Sequence, residues 1–553
     1  MNKNILILLS RRIYLFSAPV VSLLLILAWH SEATTLLVLL AFVPWFFMLD
    51  RDPGTKTDLS GLYIIYFLSV FFWIYVTLWW IKPINSFSHL FTTLLSSLIL
   101  FLPFAAALLT RFKLKKDPAR PVMVFVSLWL ILEILHDFNI LGFPYLNLGH
   151  VLATHPGWIQ WYAIGGSTGG TLWIFLVNLL IYKIISLVLH QRYTLRTLQP
   201  VFLLLLFVAL PPLLIRIINP HRRDLPVDPK AEFYAVHTSV DVFTQKYKMD
   251  PDDLLDLYIQ QTKEALDSNP GKKIIFWPEN AITGRLDLAD PDRSQALVKL
   301  RSELCTDPGI SLIAGAIADE QTDKPVKGSY NPNVLYDSVS DRYYKHYNVA
   351  IQVSIDRPAI YKTKGRLVPF GEKVPESKLF IPLVKLFPNL ANLNFSSKDN
   401  HDAIFTDTDS LIRTNPVICY GIAFSSYTAE QVRRSRSNYL SVILNEGWMK
   451  RNKAYMHFNW FTICRAIENN RFTVKSSNEG ISGFMDNRGK IVKEKTGSGA
   501  AVINSSILLI DRETFFTRYH RIIYGTLLMV CLFLLIYGFA TGSKSVQTDG
   551  SAS

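Results

Sequence analysis

Three short stretches carry residue types that could do covalent chemistry together. In Pro416-Val417-Ile418-Cys419-Tyr420-Gly421 a β-branched apolar run climbs to a cysteine, and a glycine follows two residues later. That pattern predicts a strand ending in a tight turn with a small nucleophile at its tip. Ile274-Ile275-Phe276-Trp277-Pro278-Glu279 predicts a buried strand ending in a carboxylate. Lys364-Gly365-Arg366-Leu367-Val368-Pro369-Phe370-Gly371-Glu372 supplies an amine and a second carboxylate. A free thiol is mostly protonated at neutral pH, its reference pKa being about 8.5, so a base must take its proton and a cation must steady the thiolate. Glu279 suits the base and Lys364 the cation; Lys364 would also donate to an oxyanion, beside the main-chain amide that follows the thiol. Glu372 would orient the lysine or assist a second proton transfer. Taken singly, each has a plain explanation: a packing cysteine, a turn glutamate, surface charge. Lys362 is a weaker alternative to Lys364, which stands at the better spacing from Leu367.

The other three cysteines, Cys305, Cys464 and Cys531, read as packing residues. Four scattered cysteines make no disulfide framework, and no Cys/His spacing suggests zinc. No metal or diffusible cofactor is implied.

The elements that must hold these groups are short strands alternating with helical segments from about residue 232 onward. Strands are expected at 233–240, 273–277, 311–316, 348–353, 417–422, 439–444 and 471–476. Helices are expected at 252–269 and 454–469, and a hairpin at 483–491. The alternation implies an α/β domain.

Outside this region the chain is a series of apolar runs, at 13–29, 35–49, 61–81, 88–110, 121–135, 168–189, 199–217 and 522–541. A span needs about 20 residues, so these predict eight membrane helices, the second and fifth being short. The 57 basic against 44 acidic residues leave a net +13. Much of that excess sits in short loops: Lys3, Arg11 and Arg12; Arg111, Lys113, Lys115, Lys116 and Arg120; Arg192 and Arg196. Such spacing argues for membrane orientation rather than nucleic-acid binding, with both termini cytoplasmic and the polar insert on the outer face. The division expected is 1–224 membrane, 225–515 catalytic and 516–553 a last helix with a short tail. Glu133 and His136, at the end of the fifth span, suggest a helix-end or snorkelling role. Gly165, Gly166, Gly169 and Gly170 suggest close helix packing or a loop.

The Glu279, Lys364, Cys419 order resembles that of nitrilase-type enzymes. The longer matches make the chain similar to bacterial apolipoprotein N-acyltransferases. They are Trp277-Pro278-Glu279, Lys364 with Leu367 to Glu372, Cys419-Tyr420, Asn445 to Trp448, Arg465-Ala466-Ile467-Glu468, Asn478-Glu479-Gly480-Ile481 and Gly142-Phe143-Pro144-Tyr145. The resemblance implies an αββα sandwich seated on a multi-pass helical bundle of a bacterial inner membrane, with the catalytic domain in the periplasm. It implies acyl transfer in two half-reactions from a phospholipid, phosphatidylethanolamine typically, through a Cys419 thioester to the α-amine of a diacylglyceryl-cysteine on an apolipoprotein. Trp277, Glu372 and Tyr420 fall on site-shaping positions, with Trp448 and Glu446 in a supporting segment; a monomer is expected. Two departures stand out: Gly421 where the family has an acid, and Glu446 where it has Asp. The alternatives are a membrane-tethered amidase or nitrilase cleaving a C–N bond with water, and an inactive lipid-binding paralogue. An apolar loop at 379–395, interrupted by Pro382 and Pro388, suggests contact with the bilayer surface and a path for acyl chains, or a cover for the domain's own core.

Overall fold

The computed structural model describes residues 3–50, 59–189, 199–206, 208, 231–266, 271–324, 333–369, 371–373, 395–398, 403–449 and 454–540. The chain starts with α1 (Lys3–His30), a 3-10 stretch (Glu32–Leu39) and α2 (Val43–Leu49). Pro44 stands in the first turn of α2, so the second apolar run is a broken helix rather than a continuous one. Then come α3 (Leu59–Thr77), α4 (Ser86–Leu108), α5 (Ala119–Asp137) and α6 (Tyr162–Leu189). Helices are the natural solution here, because a bilayer offers main-chain groups no other hydrogen-bond partner.

The α/β domain follows in chain order. It begins with β1 (Ala231–His237), α7 (Pro251–Ala265), β2 (Lys272–Phe276), β3 (Ile282–Asp287), α8 (Gln295–Glu303) and β4 (Ile310–Thr322). Next are β5 (Val334–Asp337), β6 (Arg342–Val353), β7 (Ile360–Thr363), β8 (Phe405–Thr406), β9 (Arg413–Thr414) and β10 (Val417–Ile418). It ends with α9 (Ser425–Ser435), β11 (Leu440–Leu444), α10 (Tyr455–Asn469), β12 (Thr473–Ser477), β13 (Ile481–Met485), β14 (Ile491–Thr496) and β15 (Ala501–Ser505). The chain then returns to apolar sequence in α11 (Phe515–Phe539).

Two sheets form the centre. One has the order β15-β1-β2-β4-β6-β5, with β3 added beside β4 and β7 beside β6; the other has the order β10-β11-β12-β13-β14. β1, β2 and β4 run parallel, as do β10, β11 and β12. Phe233, Phe276 and Ile313 from the first sheet pack against Ile418, Ile443 and Val474 from the second. α7 and α8 cover the outer face of the first sheet, through Leu254, Tyr258 and Leu297 against Tyr234 and Ile275. α10 covers the second, where Phe461 and Cys464 join Val442 in a core continuous with the membrane helices. The architecture is therefore an αββα sandwich whose second helix layer rests on the bundle.

Six described segments are long and apolar enough to cross a membrane: Glu32–Leu49, Leu59–Thr77, Ser86–Lys113, Ala119–Asp137, Tyr162–Leu189 and Phe515–Phe539; Phe16–His30 is a shorter apolar helix. Of the run expected at 199–217, only 199–206 and 208 are described, and Arg192, Arg196 and most of the 379–395 loop lie outside the described residues. Glu133 neither snorkels nor ends a helix. It is buried, accepting from Trp129 Nε1, the Leu148 amide and Thr171 Oγ1 at 3.1, 2.9 and 2.7 Å. The glycines pack: a Cβ on Gly170 would fall 1.9 Å from the Tyr162 hydroxyl, and Gly166, at φ +66°, makes room for Phe516. Cys305, Cys464 and Cys531 are buried among apolar neighbours.

Candidate active site

The carboxyl ends of β2, β7, β10 and β11 meet at one edge of the sandwich. After β2 the Trp277 amide still pairs with the Ile313 carbonyl, but the Glu279 amide crosses to the Leu444 carbonyl at the end of β11. That crossing needs the chain to lie directly on β4. It does so over Gly315, where a Cβ would come within 2.5 Å of Glu279 Cα. Asn280 then turns away in the left-handed region, at φ 50°.

Lys364 follows β7, its amide held by the Asn348 carbonyl on β6. Its Nζ is buried and donates to Glu279 Oε1 at 2.8 Å and Glu372 Oε1 at 2.6 Å. Asn348 Nδ2 donates to the same Glu279 oxygen at 2.7 Å, and the Val368 amide to Glu372 Oε2 at 2.9 Å. Lys362 points elsewhere, to the Pro416 carbonyl at 2.7 Å.

β10 is shorter than the 417–422 strand expected. It stops at Ile418, and Cys419–Ala423 is a 3-10 turn. Tertiary contacts override the β-forming sequence there. The Tyr420 hydroxyl donates to the Gly142 carbonyl, and Arg465 Nη1 donates to the carbonyls of Ile422 and Ala423. Cys419 itself sits at φ 45°, a strained position for a residue with a side chain, which lifts the thiol out of the strand line toward the carboxylate. The thiol and Glu279 line the same cavity, close enough for the Glu279 charge to act on the sulfur. Burial and the Glu279 charge push its pKa well up, against the pull of Lys364. Burial alone would lower the Lys364 pKa, but Cys419, Glu279 and Glu372 together drive it well above the ordinary lysine range. Burial raises Glu372.

Cys419, Glu279 and Glu372 line a cavity of about 230 Å³. From Cys419, Glu279 and Glu372 its walls run past Tyr420 and Trp448 to Trp80, Ile84, Phe91 and Leu95, the last two on α4. Leu94, Leu98 and Leu102 on the same helix are exposed on the bundle's outer surface. The cavity thus spans from the polar cluster to α4, whose Leu95 both lines it and is exposed on the bundle's surface.

The remaining expected residues divide. Tyr420 and Trp448 line the cavity, Trp448 stacked on Tyr247 with centroids 5.9 Å apart. Trp277 does not. Its ring is buried beneath α7, donating to Thr262 Oγ1 at 3.0 Å. Glu446 pairs with Lys475 at 2.9 Å and accepts the Ile481 amide, so it braces β11 against β12 and β13. Gly421 is tight: a Cβ there would meet Tyr427 Cε1 at 3.1 Å and Val417 Cγ1 at 3.3 Å, so a bulkier residue has no room unless Tyr427 moves.

Sequence reasoning missed two polar neighbours. Asn348 is a buried amide in an otherwise apolar strand, and a single buried polar residue there is a usable signal. Lys246 gave none, lying in Thr244-Gln245-Lys246-Tyr247-Lys248, which looks like ordinary surface charge. It is fully buried and donates to the Glu279 carbonyl at 2.8 Å. Burial lowers its pKa to about 7, with Glu279 pulling the other way. Among the described residues no cluster of His, Cys, Asp and Glu could hold a metal ion.

Two family models match the chain. Residues 21–180 match the apolipoprotein N-acyltransferase N-terminal domain, and residues 239–508 match the carbon-nitrogen hydrolase domain. The apolipoprotein N-acyltransferase of Geobacter metallireducens is 27% identical over 92% of this chain and 92% of its own length. The proteins of that name from Shewanella oneidensis and Thermotoga maritima are 25% and 24% identical, over 77% and 87% of this chain and 74% and 85% of theirs. Among solved structures, a glutamine-dependent NAD(+) synthetase from Cytophaga hutchinsonii aligns with 50% of this chain and 42% of its own, at 13% identity and a TM-score of 0.28, a likeness too weak to bear on fold or chemistry.

Proposed function

The chain belongs to the apolipoprotein N-acyltransferase family, and from that premise we propose that it moves a fatty acyl group from a phospholipid to the amino-terminal diacylglyceryl-cysteine of apolipoproteins, with Cys419 as nucleophile. The observation that carries this reading is that Cys419 and Glu279 line one largely apolar cavity that reaches α4, with the buried Lys364 ammonium bonded to Glu279.

In the first half-reaction the thiol gives its proton to Glu279 as its sulfur attacks the ester carbonyl. The oxyanion forms against the Lys364 ammonium and the Tyr420 amide, which leads a 3-10 turn and so has no acceptor within it. Collapse breaks the C–O ester bond, and Glu279 returns the proton to the departing lysophospholipid alkoxide. In the second, the neutral α-amine attacks the thioester, Glu279 takes the amine proton, and the C–S bond breaks to give the amide and a thiolate held by Lys364. The proton on Glu279 then restores the thiol. Because burial keeps the thiol protonated, the base must act during attack rather than before it. Glu372 holds Lys364 in place and shares its charge. Phosphatidylethanolamine is the proposed donor, and no metal or diffusible cofactor takes part.

The charged loops support a topology with residues 1–224 and 516–553 in a bacterial inner membrane or its cytoplasmic face, and 225–515 in the periplasm. The test uses purified protein with phospholipid labelled in its acyl chains. The expected outcome is a hydroxylamine-sensitive acyl adduct, absent in Cys419→Ala, that passes its label to a diacylglyceryl peptide. An adduct lost to water with no peptide product would make the protein a hydrolase instead.

A further inference from the structure

A second cavity, of about 610 Å³, opens where the α/β domain meets the first turns of α11, and it shares no lining residue with the cavity at Cys419. Five arginines line it, Arg413, Arg436, Arg471, Arg512 and Arg518, against two carboxylates, Asp511 and Glu513. Both acids are engaged, Asp511 with Arg413 at 2.5 Å and Glu513 with Arg518 at 3.2 Å. Arg471 is buried, donating to the carbonyls of Ser437, Asn469, Asn470, Asp511 and Arg512. A guanidinium keeps its charge wherever it is placed, so this wall is a fixed positive surface. Arg436 and Arg512 are exposed, and no carboxylate among the described residues pairs with either. The net excess of positive charge faces an open volume.

The depth of this cavity says what enters it. Phe515 and Tyr519 on its rim are 54% and 38% exposed, with ring centroids 4.9 Å apart. They begin a 25-residue apolar helix, which at 1.5 Å per residue is about 37 Å long. At its far end Lys116 Nζ and Arg120 Nη1 both donate to the Ala540 carbonyl, at 2.9 and 3.0 Å. Cations at both ends of a helix of that length, with exposed aromatics at one, mark the two headgroup layers of a bilayer. The arginine cavity therefore opens at headgroup depth. Planar guanidiniums in a cluster suit a phosphate diester, which accepts paired hydrogen bonds.

We propose that this cavity binds the phosphate of an anionic membrane phospholipid, with Arg436, Arg512 and Arg518 on the headgroup and Phe515 and Tyr519 against its glycerol and nearest acyl carbons. The site stands apart from the acyl-transfer chemistry and does not rest on it.

The test is native mass spectrometry of the full-length protein in detergent, titrated with phosphatidylglycerol or phosphatidylcholine. Phosphatidylglycerol is expected to be retained over phosphatidylcholine. The Arg436→Gln/Arg512→Gln variant is expected to lose about tenfold or more in affinity for phosphatidylglycerol alone, as the loss of two charge-assisted contacts implies. Excess inorganic phosphate should leave the bound lipid in place. Arg518→Gln, a milder change, should show a smaller loss in the same direction, so the proposal stays testable if the double variant misfolds. Equal phosphatidylglycerol binding by wild type and both variants overturns it. Displacement by inorganic phosphate, or an arginine-dependent site with no preference between the two lipids, also overturns it, in favour of a free-anion site.

Discussion

Lys364 is the pivot of the cluster because one ammonium neutralises two carboxylates, the buried Glu279 and the half-buried Glu372. Removing it in Lys364→Met leaves the buried Glu279 and the half-buried Glu372 without their shared ammonium, which is expected to cost about 3–5 kcal/mol of stability. Adding Glu372→Gln should restore part of that loss, read as a coupling of about 0.5–3 kcal/mol in a double-mutant denaturation cycle, while acyl-adduct formation stays abolished. Glu279→Gln keeps the shape and removes the proposed base, so adduct formation should slow by about 10²–10⁴-fold with little change in melting temperature. Lys246 makes a prediction about pH. Its folded pKa, about 7, lies below its unfolded value near 10.5, so between these limits the unfolded chain binds the extra proton. Stability from this residue therefore falls as pH drops from about 10.5 to about 7 and is flat below. Lys246→Met should melt higher than wild type near pH 6 to 7, with the gain shrinking toward pH 10.

Positioning of the thiol is a matter of elements rather than single side chains. The turn carrying Cys419 leads straight into α9, and the first amides of α9 are capped from the membrane part: Asp137 Oδ1 accepts Ser425 N at 2.6 Å and Oδ2 accepts Ser426 N at 3.0 Å. A cap of this kind contributes about 0.5–2 kcal/mol. Asp137→Ala should lower stability by that order and slow adduct formation more than the stability loss explains, since the thiol turn is no longer held. Gly315→Ala should do the same from the other side, by lifting Glu279 off β4. The sequence made the end of β2 visible, because Pro278 follows an apolar run, and placed Cys419 near a strand-to-turn junction, although it carried β10 too far; the Lys364 to Glu372 stretch was visible by its resemblance. What it could not show was the contact of distant elements. The 3-10 turn at Cys419–Ala423 exists because Gly142 and Arg465 meet it, Glu446 is explained by Lys475 and the Ile481 amide, and Lys246 by the carbonyl of Glu279.

The bundle and the sandwich form one core rather than two bodies joined by a linker. Buried charged groups cross the boundary: Arg465 Nη2 donates to Ser167 Oγ at 3.1 Å, and Glu468 accepts the Ser167 amide at 2.8 Å. Residues 225–515 expressed alone would expose this surface, and the expected result in size-exclusion chromatography is aggregate, with no acyl adduct when lipid is supplied. α11 adds its own part. Thr514 Oγ1 donates to the Glu468 carbonyl at 2.5 Å, Thr517 Oγ1 to Asn469 Oδ1 at 3.0 Å, and Phe516 fills the kink at Gly166. In the order of synthesis α11 emerges after every segment it closes upon. The nascent chain must therefore wait, with α6 and the end of α10 already made but unsealed, until translation passes α11, so assembly of a working enzyme is timed by the ribosome's arrival there rather than by completion of the domain that bears the thiol.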